Sequence, residues 1–421
     1  MTNTQTSLET QVPFYRPELT GNEVEEVTAT LKSGWLTSGP RVRRFELEFA
    51  DAVRASRALA VNSCTAALHL AVNALELKPG MVVFVPAMTF AATAAVVRYQ
   101  GAIPILVDCD PATFNMSLDD AARKLSQLRG DKPPGGAPKG AQAVGMIPVH
   151  VGGLMMDMDD VNRFASEHGL WVVEDAAHAF PAAWRRGPDD PWRRCGEGTA
   201  AVTCFSFYAN KTITTGEGGM AVTNNTLLAE RMKLMSLHGL SRDAWDRYSG
   251  GGSWDYGIIA PGFKYNMTDI AAAIGIHQLA RAEEMRRSRE RIAAAYRDAF
   301  SGVEEIELPV EDSNRIHSWH LFPIRLQLAR LTIDRNKFIE ELALSGVASS
   351  VHWRPLHLHP YYQESFGWLP EDCPVATETW RRLVSLPLFS IMREEEIEHV
   401  IHAVKSLCAR YARKIGEAHT N

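Results

Sequence analysis

The stretch FSFYANKTITTGEGG (205–219) joins an apolar strand pattern, a lysine in a polar turn and a glycine-rich exit. A lysine in a loop is usually a solvated charge. Lys211, however, follows a strand that ends in Ser206 and Tyr208 and precedes Gly216, Gly218 and Gly219, which let the backbone pass close to a ligand. An imine-forming amine is useful there, provided that desolvation or a nearby positive charge draws it below the ordinary lysine pKa of about 10.4. Three other strand ends carry unusual residues. After LWVVE come Asp175 and, on the next turn, His178, although roughly half of the Asp residues in such a place do no more than cap a turn. After ALAV come Asn62, Ser63, Cys64 and Thr65, which open a helix whose free N–H groups and positive dipole end suit a phosphate, or form an ordinary N-cap. After VVFVP come Thr89 and Phe90, whose ring either covers a planar ligand or packs in the core.

Together, a phosphate-cradling helix start, an aromatic cover, a strand-end Asp and a Lys meet the needs of pyridoxal phosphate better than those of any other common cofactor. Asp175 would keep the pyridine nitrogen protonated, so that the ring acts as an electron sink. Lys211 would hold the aldehyde as a Schiff base.

The elements that must position these residues are legible as βα units. From about residue 57 to 236, short apolar runs alternate with helical patterns, the rhythm of a largely parallel sheet, beyond whose carboxyl ends ligands collect. ALAV (58–61), MVVFV (81–85), IPILVD (103–108), AVGMIPVH (143–150), LWVVE (170–174), AVTCFSF (201–207) and GGMAVT (218–223) read as strands, several of them apolar on both faces. RGDKPPGGAPKGAQ (129–142) and WRRGPDDPWRRCGEG (184–198) read as surface loops, the first as padding. A long helical pattern covers 266–300, with Asn266 at its opening. The fold expected is α/β: a large cofactor-binding domain, 1–285, with an N-terminal arm and helices on both faces of its sheet, then a smaller C-terminal α+β domain, 286–421.

At 421 residues the chain is roughly three times a common single-domain length, so a large core is available. A net charge of -6, with 46% hydrophobic and 22% charged residues, offers no basic surface for phosphate backbones, so nucleic acid is not an expected partner. The polar opening MTNTQTSLETQVPFYRPELT and the lack of any apolar run long enough to span a bilayer lead us to expect a cytoplasmic protein without a membrane contact. Six cysteines without C-x-x-C pairs argue against a disulfide framework and against structural zinc.

The chain resembles the DegT/DnrJ/EryC1 family of pyridoxal-phosphate-dependent sugar aminotransferases, a branch of the aspartate aminotransferase fold type, from about residue 12 to 405. The resemblance is carried by SGWLTSGP (33–40), AVNSCTAALHL (60–70), PAMTFAATA (86–94), VVEDAAHA (172–179), FSFYANKTITTGEGG (205–219), KYNMTDIAAAIGIHQL (264–279) and HLHPYY (357–362). It implies that Lys211 holds the cofactor aldehyde, Asp175 the pyridine nitrogen, and that Phe90 stacks on the ring. His178 matches a Gln or His position on the ring-oxygen side. The resemblance also gives the phosphate to Ser63, Cys64, Thr65 and Ser206, and has Asn266 reach the cofactor of a neighbouring subunit, hence a homodimer with shared sites. Cys64 departs from a frequent glycine, a change that a backbone N–H contact tolerates.

His317, His320, His352, His357 and His359 invite a metal reading, but no Cys or carboxylate stands at ligand spacing, and no metal is expected. In the resembled family such loops shape the sugar-nucleotide site, which makes His320, His352, Arg354, His357 and Tyr361 the candidate substrate contacts. The expected activity is transfer of an amino group, with L-glutamate as donor, to a nucleotide-linked keto sugar. A cyclitol or other carbocyclic ketone acceptor, or a non-catalytic cofactor-binding regulator, are the rival readings. The related sugar dehydratases replace the Schiff-base lysine with histidine, and Lys211 argues against that activity.

Overall fold

The computed structural model describes residues 11–241 and 257–413. Residues 1–10 of the expected N-terminal arm and 414–421 at the end of the expected C-terminal unit lie outside the described residues. The strands are β1 (Arg57–Val61), β2 (Val82–Pro86), β3 (Ile103–Val107), β4 (Ala143–Met146), β5 (Trp171–Asp175), β6 (Ala183–Trp184), β7 (Arg193–Arg194), β8 (Val202–Ser206), β9 (Gly219–Thr223), β10 (Ile306–Glu307), β11 (Arg315–Ile316), β12 (Phe322–Leu326) and β13 (Leu383–Leu386).

Seven of them form the central sheet in the order β1-β9-β8-β5-β4-β2-β3. β3, β2, β4, β5 and β8 run parallel, and β9 runs antiparallel to both β8 and β1. β2 is buried at every position, as a strand covered on both faces requires, and each such Val or Phe contributes roughly 1.5–3 kcal/mol by leaving water. The sheet is therefore mostly parallel, as the apolar runs imply. The exception, β9, places its first residue at the edge where β8 and β1 end: Gly219 pairs with both Ser206 and Val61.

Several expectations are corrected. The strand in 143–150 stops at Met146. The 266–300 pattern is two helices, Asp269–Ala280 and Ala282–Phe300, broken at Arg281. Asn266 does not open a helix: Thr268 is the N-cap, its side chain accepting from Ala271 N–H, while Asn266 forms a β-bridge with Val61. The two segments read as surface loops are partly internal. In 129–142, Ala137 is buried and a Cβ on Gly135 would lie 2.6 Å from the Trp368 ring. In 184–198, Trp184 and Cys195 are buried, and β6 pairs with β7 on one side and with β11 on the other.

A second core gathers Ile292, Tyr296 and Phe300 with Phe322, Ile324, Val384 and Val400, around β10, β12 and β13. Leu356, Tyr362, Trp368 and Ala376 return to the core around the large sheet. Among the described residues no helix is long and apolar enough to cross a membrane.

The helix Cys64–Ala74 starts where it does because Ser63 Oγ accepts from Ala66 N–H at 3.1 Å. Against this turn lies Gly219, where a Cβ would stand 2.5 Å from Cys64 N and from the Ser63 carbonyl carbon. Neither neighbour is a flexible side-chain tip that can move aside. Gly219→Ala is accordingly expected to destabilise the protein by about 1–3 kcal/mol and to weaken cofactor loading, through forced separation of β9 from the 62–65 turn. Denaturant midpoints and cofactor stoichiometry check this; native values of both would show that the turn yields at no cost.

Candidate active site

The strand ends converge on a cavity of about 440 Å³. Ten of the fourteen residues singled out from the sequence line it: Ser63, Cys64, Thr65, Phe90, Asp175, His178, Ser206, Lys211, His320 and His352. The other four lie elsewhere. Asn266 is bridged to Val61 and donates to Ser38 Oγ at 2.8 Å. Arg354 donates to Leu358 O and lies over the Trp380 ring. His357 is fully buried with Nε2 2.7 Å from Thr377 Oγ1, a core position closed to a ligand. Tyr361 is half exposed, and its hydroxyl accepts from Arg98 Nε at 3.3 Å. The VHWRPLHLHPYY loop thus turns away from the cavity after Trp353.

Asp175 closes β5. Its Oδ2 accepts from Thr93 Oγ1 at 2.8 Å and its Oδ1 from Ala177 N–H at 3.2 Å. Thr93 Oγ1 in turn lies 2.8 Å from Thr89 Oγ1. The carboxyl is 5% exposed, and no cationic side chain among the described residues forms an ion pair with it. Burial therefore pushes its pKa up, against the lowering by Thr93, Ala177 and Lys211.

Lys211 follows a turn in which its own N–H donates to Tyr208 O at 2.9 Å. Its amine stands in the cavity, 3.3 Å from His320 Nε2. Burial draws its pKa down to about 8, opposed by the Asp175 carboxylate and assisted by Arg289. His178 and His320 are held well below the usual imidazole range, and His352 at about 4, with burial the first cause in each. Burial also pushes the Cys64 thiol well up, so that it stays uncharged beside the turn. Phe90 lines the cavity yet is 62% exposed, an aromatic face left open at its mouth.

Sequence reasoning missed the roles of Thr93, Asn210 and Glu217. The last two line the cavity, flanking Lys211 and Gly218 in the chain. Thr89 and Thr93 did carry a signal, hydroxyls four residues apart at the opening of the helix Ala91–Tyr99. Trp353, stacked on His178 at 5.0 Å between ring centroids, completes one wall.

These residues fit pyridoxal phosphate on the structure's own terms. A buried carboxylate lacks a cation, a helix start presents N–H groups, an amine is brought near neutrality, and an aromatic face is uncovered. The fold and the site define a pyridoxal-phosphate-dependent aminotransferase of the aspartate aminotransferase type. Comparison with known proteins gives the family: the model of the DegT/DnrJ/EryC1/StrS aminotransferase family matches residues 17–405, and the chain belongs to it. The chain is 42% identical over 399 residues to the uncharacterized protein MJ1066 of Methanocaldococcus jannaschii, covering 95% of this chain and 98% of that one. It is 39% identical over 400 residues to the spore coat polysaccharide biosynthesis protein SpsC of Bacillus subtilis, covering 94% and 97%. Among solved structures it is similar to Spr1654 from Streptococcus pneumoniae in its PMP form, with a TM-score of 0.84, 31% identity, and 95% and 99% of the two chains covered. The same protein is also solved in a PLP form.

The depressed lysine pKa has a kinetic sign. Below about 8 the Lys211 amine is mostly protonated and has no free electron pair, and above it the neutral amine dominates. Capture of pyridoxal phosphate by the apo-protein, fixed by borohydride and mapped to Lys211, is expected to accelerate with pH and level off above about 8. A rate still climbing near 10, or a label on Lys233 or Lys264, would contradict the assignment.

Proposed function

We propose that this protein transfers an amino group from an amino-acid donor, L-glutamate in this reading, to the keto carbon of a nucleotide-linked keto sugar. The observation that carries the proposal is the pairing of Lys211 and Asp175 on one cavity from adjacent strand ends. The sugar class is supported by SpsC, a polysaccharide biosynthesis protein by name, and by CalS13 from Micromonospora echinospora, a sugar aminotransferase by name. The nucleotide link, the glutamate donor, the homodimer and a cytoplasmic location are supported by the family resemblance. That Asn266 stands outside its own chain's cavity accords with a contact to a partner's site.

Bound pyridoxal phosphate supplies an aldehyde carbon that takes up the amino group and a ring that accepts the electron pair released at the donor's Cα. Lys211 Nζ holds the cofactor in the resting enzyme. As a free amine, Lys211 Nζ would take the donor's Cα proton and hand it on, a task suited to a group whose pKa lies near working pH. Asp175 keeps the ring nitrogen's proton in place, with Thr93 and Ala177 N–H fixing the carboxylate. The N–H groups of the Ser63–Thr65 turn, with Ser206 Oγ, would hold the phosphate, and Phe90 would cover the ring. On the acceptor half-reaction Lys211 returns the proton to the former keto carbon. A non-catalytic regulator would also need a neutral Lys211 amine to capture the cofactor, and bleaching of the cofactor absorbance by the amino donor separates the two readings.

Incubation with L-glutamate and a panel of nucleotide-linked keto sugars tests the proposal. A product in which the keto oxygen is replaced by an amino group is expected for at least one of them, and conversion of cyclitol ketones alone would overturn the nucleotide-sugar assignment. Asp175→Asn is expected to retain cofactor and lose about 100- to 10,000-fold in turnover, the range that corresponds to about 3–5 kcal/mol for a buried charge partner. Near-native turnover in that variant would move the role to another group.

A further inference from the structure

The three imidazoles that face the cavity are held differently. His178 Nδ1 accepts from Gly152 N–H at 3.3 Å, which fixes its proton on Nε2. His352 Nδ1 lies 3.0 Å from Ser385 Oγ. His320 has its Nε2 3.3 Å from Lys211 Nζ, while its Nδ1 has no hydrogen-bond partner although the residue is only 5% exposed. A buried polar atom without a partner is rare and asks for a reason.

The backbone is built to place this ring. Trp319, immediately before it, has φ of 48°, a left-handed conformation that a bulky residue adopts only under constraint. Its carbonyl accepts from Arg289 Nη1 at 3.2 Å, and the same nitrogen donates to Leu388 O at 2.8 Å. On the other side His320 N–H donates to Gly152 O at 3.0 Å, and Ser318 Oγ to His178 O at 2.5 Å. A Cβ on Gly153 would stand 1.8 Å from Ser318 Oγ, so the close approach of the two segments requires that glycine.

The charged and titratable groups around the pair are Arg289, His178, His352, Asp175 and Cys64. His178 lies with its ring 4.1 Å from that of His320, and its closeness adds to burial, Lys211 and Arg289 in keeping His320 uncharged. A lysine amine carries N–H donors whether or not it is protonated, so Nε2 of the neutral Nδ1–H tautomer can accept from it in both states. Accepting one N–H also turns the lone pair of the neutral amine away from His320, toward the open cavity.

We propose that His320 is the positioning residue of Lys211: its neutral Nε2 accepts an N–H of the free amine and aims the amine's lone pair into the cavity, rather than contacting the sugar. This rests on the reading of Lys211 given above. The test is pyridoxal phosphate capture by apo-protein, with plateau rate and half-saturating concentration measured separately in His320→Phe, His320→Asn and His320→Gln. Phe fills the ring's space without an acceptor, Asn is too short to reach Lys211, and Gln can put an oxygen near Nε2.

The plateau rate is expected to fall at least about tenfold in the Phe and Asn variants, with the half-saturating concentration changed less than about twofold, as misaimed reacting groups require. Gln is expected to recover to within about threefold of the parent. Because His320 stays neutral, the ratio of parent to Phe variant should be constant between about pH 6 and about pH 9. An unchanged plateau in both Phe and Asn, a change in half-saturation alone, or a ratio that shifts in the imidazole range overturns the inference while borohydride still labels Lys211 in the parent. A parent label on another lysine overturns the reading of Lys211, and this inference with it.

Discussion

A carboxylate taken out of water must be paired, saturated with hydrogen bonds or neutralised, and β5 ends in two of them side by side. Because successive side chains point to opposite faces of a strand, Glu174 and Asp175 face different surroundings. Glu174 is saturated: His150 Nε2 lies 2.9 Å from Oε2, and Thr199 Oγ1 and Thr203 Oγ1 donate to Oε1 at 2.6 and 3.1 Å. Met156 N–H donates to His150 Nδ1, which puts that imidazole's proton on Nε2, toward Glu174. Asp175 has one hydroxyl, one N–H and an open cavity in front of it. Two neighbouring acids of the same chemistry are thereby separated into a closed internal group and one that still lacks a positive partner.

The direction of the strands explains why the other groups arrive at the same edge. β8 runs parallel to β5 and pairs Cys204 with Asp175, so the chain leaving Ser206 enters the loop that carries Lys211 beyond the same end. β1 and β8 both flank the antiparallel β9, which puts the end of β1, and the Ser63 turn behind it, on that side too. β9 begins where its neighbours finish. That geometry crowds its first residue against the helix start, and it is the physical reason for glycine at 219.

The same distinction separates what was legible in the sequence from what was not. Strand positions in the large sheet, Lys211, Asp175 and the 62–65 turn are local events: an apolar run ends, and the residues just beyond it lie at the sheet edge whatever the rest of the chain does. The spacing of Thr89 and Thr93 marks a pair of hydroxyls at the opening of a helix, but nothing in it points to a partner 82 residues away. The break at Arg281 lies inside an unbroken helical periodicity, and the packing of 129–142 on Trp368 depends on a tryptophan more than two hundred residues later. Arg354, His357 and Tyr361 share a motif with His352 but not its direction, since the chain turns back into the first core at Leu356. Residue type was readable there, and orientation was not.

Arg289 joins the second core to the site by two routes. It is buried without a carboxylate in contact among the described residues, so burial lowers its pKa to about 10, and its Nη1 is occupied by the carbonyls of Trp319 and Leu388. Through Trp319 it holds the turn that presents His320. Through space its charge lowers the pKa of Lys211, against the raising by Asp175. In the proposed reading the cofactor's ring nitrogen meets Asp175 with a positive charge, and the pull of that carboxylate on the Lys211 ammonium is then offset.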